Sequence, residues 1–211
     1  SEHAFSDSDT EGKIETLEEV VATGTYIRGS SPIGSRLVVI GSAEIAASGL
    51  GRVQDFLETL TQNYSGSASE DNLNGDAGAA NQTRGQAIDL RGLGASSTLV
   101  LINGRRQPSG GLQGSFVDIS SIAASALDRI EVLPDGASAL YGTDAIGGVV
   151  NFILRKDYDG FESNVHAVTS QDSLGEVQAS LLAGHSWSTG NLLGGYQYSD
   201  KDALPYIDTT Y

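Results

Sequence analysis

From Phe161 onward apolar and polar side chains alternate. Phe161, Val165 and Ala167 interleave with Glu162, Asn164 and His166; Val177, Ala179, Leu181 and Ala183 interleave with Gln178, Ser180 and Leu182; Leu192 to Tyr198 makes a third run. A two-residue period sends alternate side chains to opposite faces of a strand. Ser188-Thr189-Gly190-Asn191 reads as a tight turn before the third run. Long strands, short connections, one apolar face and one polar face with small residues describe a membrane barrel wall, where one face meets lipid and the other a wet lumen. A soluble antiparallel sheet carries a similar alternation.

Composition narrows the rest. The chain has 211 residues, 12 Lys+Arg against 27 Asp+Glu, and a formal net charge of -15. That length allows one or two domains with a real core. So acidic a surface repels phosphate, which argues against nucleic acid. Cys is absent, which removes disulfides, thiolate metal sites and a cysteine nucleophile. Met is absent even at position 1, so a processed product, with any signal peptide removed, or a cut piece of a longer chain is expected. No apolar run approaches the ~20 residues of a membrane-spanning helix. The 27 Gly favour turns and strands over a helical bundle.

Along the chain, residues 1–17 form an acidic, Ser-rich tail with little to bury, expected to be disordered. It runs into the β-prone stretch Val20-Val21-Ala22-Thr23-Gly24. Leu37-Val38-Val39-Ile40 reads as a buried strand and Ser42-Ala43-Glu44-Ile45 as a capped helical turn. Val53, Phe56, Leu57 and Leu60 share one face of a short helix. A long polar loop spans Asn63 to Gln86, and a Gly-rich one Arg105 to Phe116. Strands are expected at Ala87–Arg91, Thr98–Ile102, Arg129–Leu133 and Gly148–Leu154, and a helix at Ile119–Leu127. Asn103-Gly104 signals a two-residue hairpin turn, and Asp135-Gly136 a further turn.

Several chemical signals fail. Gly92-Leu93-Gly94 lacks the third glycine of a dinucleotide fingerprint, since position 97 is Ser. The sequence around Ser138 misses the nucleophile elbow by its last residue, leaving an acidic hydrolase as a weak idea. His3, His166 and His185 have no ligand spacing, and Asn72 to Asp76 lacks the calcium-loop pattern. Neither metal nor cofactor nor enzymatic activity is expected. Trp187, Tyr196 and Tyr198 suit an interfacial aromatic girdle or ordinary sheet packing.

Five blocks then occur in order: Asp89-Leu90-Arg91-Gly92-Leu93-Gly94, Leu99 to Gly104, Leu127 to Leu133, Ala137 to Gly142, and Ala145 to Asn151. Together they resemble the plug domain of TonB-dependent outer-membrane receptors. The resemblance implies an α+β plug with a small mixed central β-sheet and short helices, followed by the first antiparallel strands of an outer-membrane barrel. It divides the chain into a tail at 1–17, a TonB box at 18–24, a plug at 25–156 and about three barrel strands at 157–211. It implies that Glu18, Glu19, Val20, Val21, Ala22 and Thr23 engage the TonB C-terminal domain, coupled to an inner-membrane proton-gradient complex. Strand addition to a sheet edge suits such a segment; a first plug strand is the other reading of Val20 to Thr23. Arg91 and Arg129 resemble plug arginines that pair with wall carboxylates, with Glu131 beside them, whereas pairing of Arg129 with Glu131 or Asp128 inside the plug is the local alternative. The long loops resemble apical loops that meet an extracellular nutrient, with Tyr64, Arg84, Arg105, Arg106, Gln107 and Phe116 as contact residues. The implied function is TonB-dependent uptake across the outer membrane, in contact with outer-membrane lipid. A secreted β-rich adhesin or glycan-binding module is the alternative.

Overall fold

The computed structural model describes residues 36–64, 84–110, 114, 116–134, 138–156, 158–169 and 175–202. The acidic tail, the Glu18 to Thr23 segment, most of the first long loop and the Asp135-Gly136 turn lie outside the described residues.

The chain order is β1 (Val38–Gly41), α1 (Ser42–Ala47), α2 (Val53–Glu58), β2 (Thr98–Ile102), β3 (Arg105–Arg106), β4 (Leu127–Leu133), α3 (Ser138–Tyr141), β5 (Gly148–Leu154), β6 (Gly160–Thr169), β7 (Gly175–Trp187) and β8 (Gly190–Lys201), with short 3-10 turns between. Strands β1 to β5 form one sheet in the order β1-β4-β5-β2-β3. The β5–β2 pair is parallel and the others antiparallel, so the sheet is mixed.

One face of this sheet presents Ile40, Ile130, Val132, Val150, Phe152 and Val100. Helices α1 and α2 and the segments around Ile88 and Ile119 close over it, adding Ile45, Val53, Phe56, Leu57, Leu90 and Ile122 to one apolar core. Burying each such side chain contributes about 1.5–3 kcal/mol, which is what holds helices this short in place. The other face has a smaller cluster of Leu99, Leu101, Leu133, Val149 and Ala145. It also carries the buried polar pair of positions Glu131 and Asn151, cross-strand partners in the β4–β5 ladder.

The hairpin turn falls where expected: Asn103 and Gly104 have φ of 50° and 76°, the left-handed pair a tight β2–β3 turn requires. Three expectations are corrected. Ala87–Arg91 is not a ladder strand; Leu90 makes one isolated bridge with Asn63, and side chains serve the backbone instead. The Asp89 N–H donates to Asn63 Oδ1 at 3.0 Å and the Leu90 N–H to Thr98 Oγ1 at 2.9 Å. Ile119–Leu127 is not an α-helix; only Ala124–Ala126 forms a 3-10 turn. Asp118 Oδ1 accepts from the Ser120 N–H, a local bond that competes with helix formation. The first turn of α1 also lacks a side-chain cap: Gly41 is its N-cap.

Strands β6, β7 and β8 form a separate antiparallel meander. Its register puts Phe161, Val165, Val177, Leu181, Trp187, Leu192, Tyr196 and Tyr198 on one face, and all are exposed. Glu162, Asn164, His166, Gln178, Ser180, Leu182 and Gln197 alternate onto the other. Ser188 and Thr189 make the β7–β8 turn; Gly190 and Asn191 are already in β8. No helix among the described residues is long and apolar enough to cross a membrane, which says nothing of strands.

Candidate functional site

The polar face of β6–β8 lies against α1, the corner between α1 and α2, and the 3-10 turn at Ala124–Ala126. Between them is a cavity of about 200 Å³, lined by Ile45, Gly51, Ser125, Arg155, His166 and Gln178 among others.

Two arginines cross this seam. Arg155 follows β5 directly. Its Nη1 donates to Glu162 Oε2 on β6 at 2.8 Å and its Nε to the Leu127 carbonyl at 3.2 Å. Its guanidinium also sits 5.5 Å from the centre of the Tyr158 ring, a cation–π distance. Arg52 precedes α2 and is only 8% exposed. Asp55 grips its planar fork at both ends, with Nε to Oδ2 and Nη2 to Oδ1 each 2.9 Å. Beyond Asp55, Arg52 Nε lies 3.7 Å from Glu176 Oε1 on β7. The Gln178 amide donates to Glu176 Oε1, and Gln197 Nε2 donates to the Gly51 carbonyl at 3.4 Å. A Cβ on residue 51 would fall 1.5 Å from Gln178 Oε1, so this approach of plug backbone to wall suits glycine. Gln178 Oε1 and Ser125 Oγ are buried with no hydrogen-bond partner among the described residues.

The residues singled out from sequence are dispersed. Arg129 takes the local alternative: its Nε donates to Glu131 Oε1 at 2.8 Å and its Nη1 to Asp128 Oδ2 at 2.7 Å. Burial works against the guanidinium charge, but the hydrogen bonds and charges of Glu131 and Asp128 outweigh it and hold the Arg129 pKa above its usual value. Glu131 is 1% exposed. Arg91 is exposed and adopts φ of 66°, unusual for a residue with a side chain. Tyr64 is exposed and packs against Gly92. Arg84 is exposed, with φ of 52°.

Arg105, Arg106 and Gln107 stand elsewhere. Asn103 Oδ1 accepts from the Leu154 N–H at 2.9 Å, so Arg105 lies at the end of the sheet where the chain leaves for β6. Tyr64 and Arg91 lie at the other end, because Leu90 is tied to Thr98 at the start of β2. Arg106 is not free: its Nη1 donates to Asp144 Oδ2 at 2.6 Å and its Nη2 to the Tyr141 carbonyl. Gln107 is half-buried and donates through Nε2 to the Arg105 carbonyl at 3.0 Å. Phe116 corrects an expectation: it is 2% exposed and packs with Ala95 and Ala87 rather than facing outward. Gly85 permits that packing, since a Cβ there would lie 2.8 Å from the Phe116 ring.

Arg52, Gly51 and Gln178 were missed in the sequence. Arg155 had a readable signal, a cation ending the last plug strand just before the alternation begins. Arg52 had none.

Comparison with known proteins agrees with this geometry. The family model "TonB-dependent Receptor Plug Domain" matches residues 31–149, more than half of the chain. An iron-regulated outer membrane virulence protein of Vibrio cholerae is 40% identical over 87 residues, 39% of this chain and 13% of that protein. A variant of the ferric enterobactin receptor of Pseudomonas aeruginosa superposes with a TM-score of 0.57 at 22% identity, covering 80% of this chain and 25% of that one. The siderophore receptor PirA of Acinetobacter baumannii gives a TM-score of 0.56 at 22% identity, covering 76% and 24%. The chain therefore spans about a quarter or less of these relatives' lengths. The plug-like mixed sheet, the antiparallel strands beside it and the family match lead to one conclusion: the chain belongs to the TonB-dependent receptor plug family of the bacterial outer membrane.

Proposed function

We propose that this chain is the gate, with its first adjoining wall strands, of a receptor that imports a scarce iron chelate across the outer membrane by TonB-dependent transport. One observation carries the reading. The β6–β8 meander turns its polar face onto a folded plug and leaves its apolar face bare. In a closed barrel those faces meet the lumen and the lipid. A secreted adhesin would have to cover the same eight exposed apolar side chains. The family is one of receptors, not of enzymes.

In this reading residues 1–17 are a periplasmic tether, 18–24 the TonB box, 25–156 the plug and 157–211 wall. Glu18 to Thr23 add as a strand to the TonB C-terminal domain, whose pull draws on the inner-membrane proton gradient through its partner complex. Backbone hydrogen bonds then carry the force. The two-residue Ser188-Thr189 turn marks the periplasmic end of the wall, since such turns are short on that side. Tyr64 and Arg91 then lie toward the substrate side, and Arg105 toward the periplasm. Arg91, free of an ion pair among the described residues, keeps its charge for a carboxylate of the remaining wall. Iron is favoured because the Vibrio cholerae relative is named for iron regulation, one structural neighbour is named a ferric enterobactin receptor and the other a siderophore receptor.

Binding of the chain to a TonB C-terminal domain tests the reading, by calorimetry with and without Val20→Pro. Pro removes a backbone donor, so saturable binding should disappear in the variant. A receptor carrying Val20→Pro should also fail to support growth on a ferric chelate as sole iron source. Absence of wild-type binding, or binding indifferent to the proline, would refute it.

A further inference from the structure

The two arginine pairs across the seam are mechanically different. Arg155 and Glu162 are seven residues apart, astride the covalent junction of plug and wall. Nothing can separate them far, because the chain itself holds them together. Arg52 and Glu176 join parts of the chain that are remote in sequence, and nothing covalent near them prevents parting. We propose, on the reading of the chain as a gate, that Arg155–Glu162 is its hinge and Arg52–Glu176 its latch.

The local chemistry fits a bond made to be broken. Arg52 is aimed before it meets the wall, because Asp55 fixes its fork from within α2. The Nε that already donates to Asp55 is also the atom nearest Glu176, at 3.7 Å from a carboxylate about a quarter exposed, so the contact is one of charge rather than a second hydrogen bond. A partly solvated pair at that distance is weak compared with a buried, bidentate one. Gln178, two residues along the same face of β7, ties Glu176 to the Gly51 backbone approach, so the wall grips two successive plug residues. The surrounding seam mixes polar and apolar surface. Its cavity is lined by Ile45, Leu50 and Ala179 as well as Ser125, Arg155 and Gln178, and Ser125 Oγ and Gln178 Oε1 have no hydrogen-bond partner among the described residues. Glu176 also begins β7 at the end away from the Ser188-Thr189 turn, next to the β6–β7 connection.

Amide hydrogen exchange of residues 42–58 in the complete receptor, without TonB or substrate, is the test. Glu176→Gln should speed exchange of α1 and α2 by about fivefold. Glu162→Gln, at the hinge, should leave that exchange unchanged. In an Arg52→Gln background, Glu176→Gln should add nothing, because the partner is already gone. The proposal is overturned if Glu176→Gln changes exchange by less than about twofold. It is also overturned if Glu162→Gln loosens α1 and α2 equally, or if the Glu176→Gln effect survives in the Arg52→Gln background. Should Arg52→Gln fail to fold, the two wall variants still decide between latch and no latch. The readout needs no transport, so failure of the latch and failure of the transport reading are distinguishable.

Discussion

Arg129 and Glu131 show how a residue in a motif can look like a contact for a distant wall and be satisfied at home. The motif places Arg129, Glu131 and Leu133 on one face of β4. Cross-strand neighbours then bury Glu131, and a buried carboxylate needs a cation and hydrogen bonds close by. Arg129 is two residues along the same face, so its fork closes on Glu131 and Asp128. Arg129→Gln should therefore destabilise the plug by about 2 kcal/mol, the cost of removing the cation and hydrogen bond that Arg129 gives a buried acid, discounted for the partial exposure of Arg129. The sign with pH follows from the raised Arg129 pKa. A cation whose folded pKa is raised contributes its full stability below its unfolded pKa and loses it only as pH rises through the folded value. That value lies far above this range, so the wild-type advantage over Arg129→Gln should be the same at pH 7 and pH 9. Urea midpoints of the plug within the intact receptor check both points; an advantage that shrinks by pH 9 would contradict the assignment.

Elements were legible where one physical signal dominated. The run Gly148 to Leu154 is apolar because both its faces are covered, and it became the central strand β5. Asn103-Gly104 encoded its turn through left-handed backbone preference alone. Ala87–Arg91 and Ile119–Leu127 were misread because side chains of Asn63, Thr98 and Asp118, distant or local, took the backbone donors a ladder or helix would use. Residue patterns do not announce such long-range bonds. The seam was illegible for the same reason, since Arg52 and Glu176 carry no shared periodicity. Gly148 marks a tight junction between elements. It has φ of 138°, and a Cβ there would lie 2.6 Å from both the Leu133 carbonyl oxygen and Leu90 Cδ1. Backbone cannot yield as a side-chain tip can. Gly148→Ala should therefore cost about 2–4 kcal/mol from strain and overpacking combined, read as a lowered thermal midpoint of the plug. A loss under about 0.5 kcal/mol would mean that β5 starts differently.

At the scale of the whole molecule the decisive asymmetry is between the two faces of β6–β8. Folding an isolated soluble domain drives apolar side chains inward, yet here Phe161, Leu181, Leu192 and Tyr196 point away from the plug while Gln178 and Gln197 point toward it. That inversion makes sense only if the medium outside is more apolar than the lumen inside. Leu181 is the central residue of β7, and Ser180 beside it faces the seam cavity. The same substitution at these two neighbours isolates the effect of the face. Leu181→Lys should reduce the stability of the inserted receptor by about 2–4 kcal/mol, the cost of a cation near the middle of the lipid-facing band, and should lower the amount recovered in outer membranes. Ser180→Lys puts the ammonium into the wet seam and should be tolerated to within about 1 kcal/mol. Heat-modifiability on gels and urea unfolding in vesicles of defined lipid measure both. Equal tolerance at 180 and 181 would mean that the apolar face meets water, and the wall would then be an ordinary sheet.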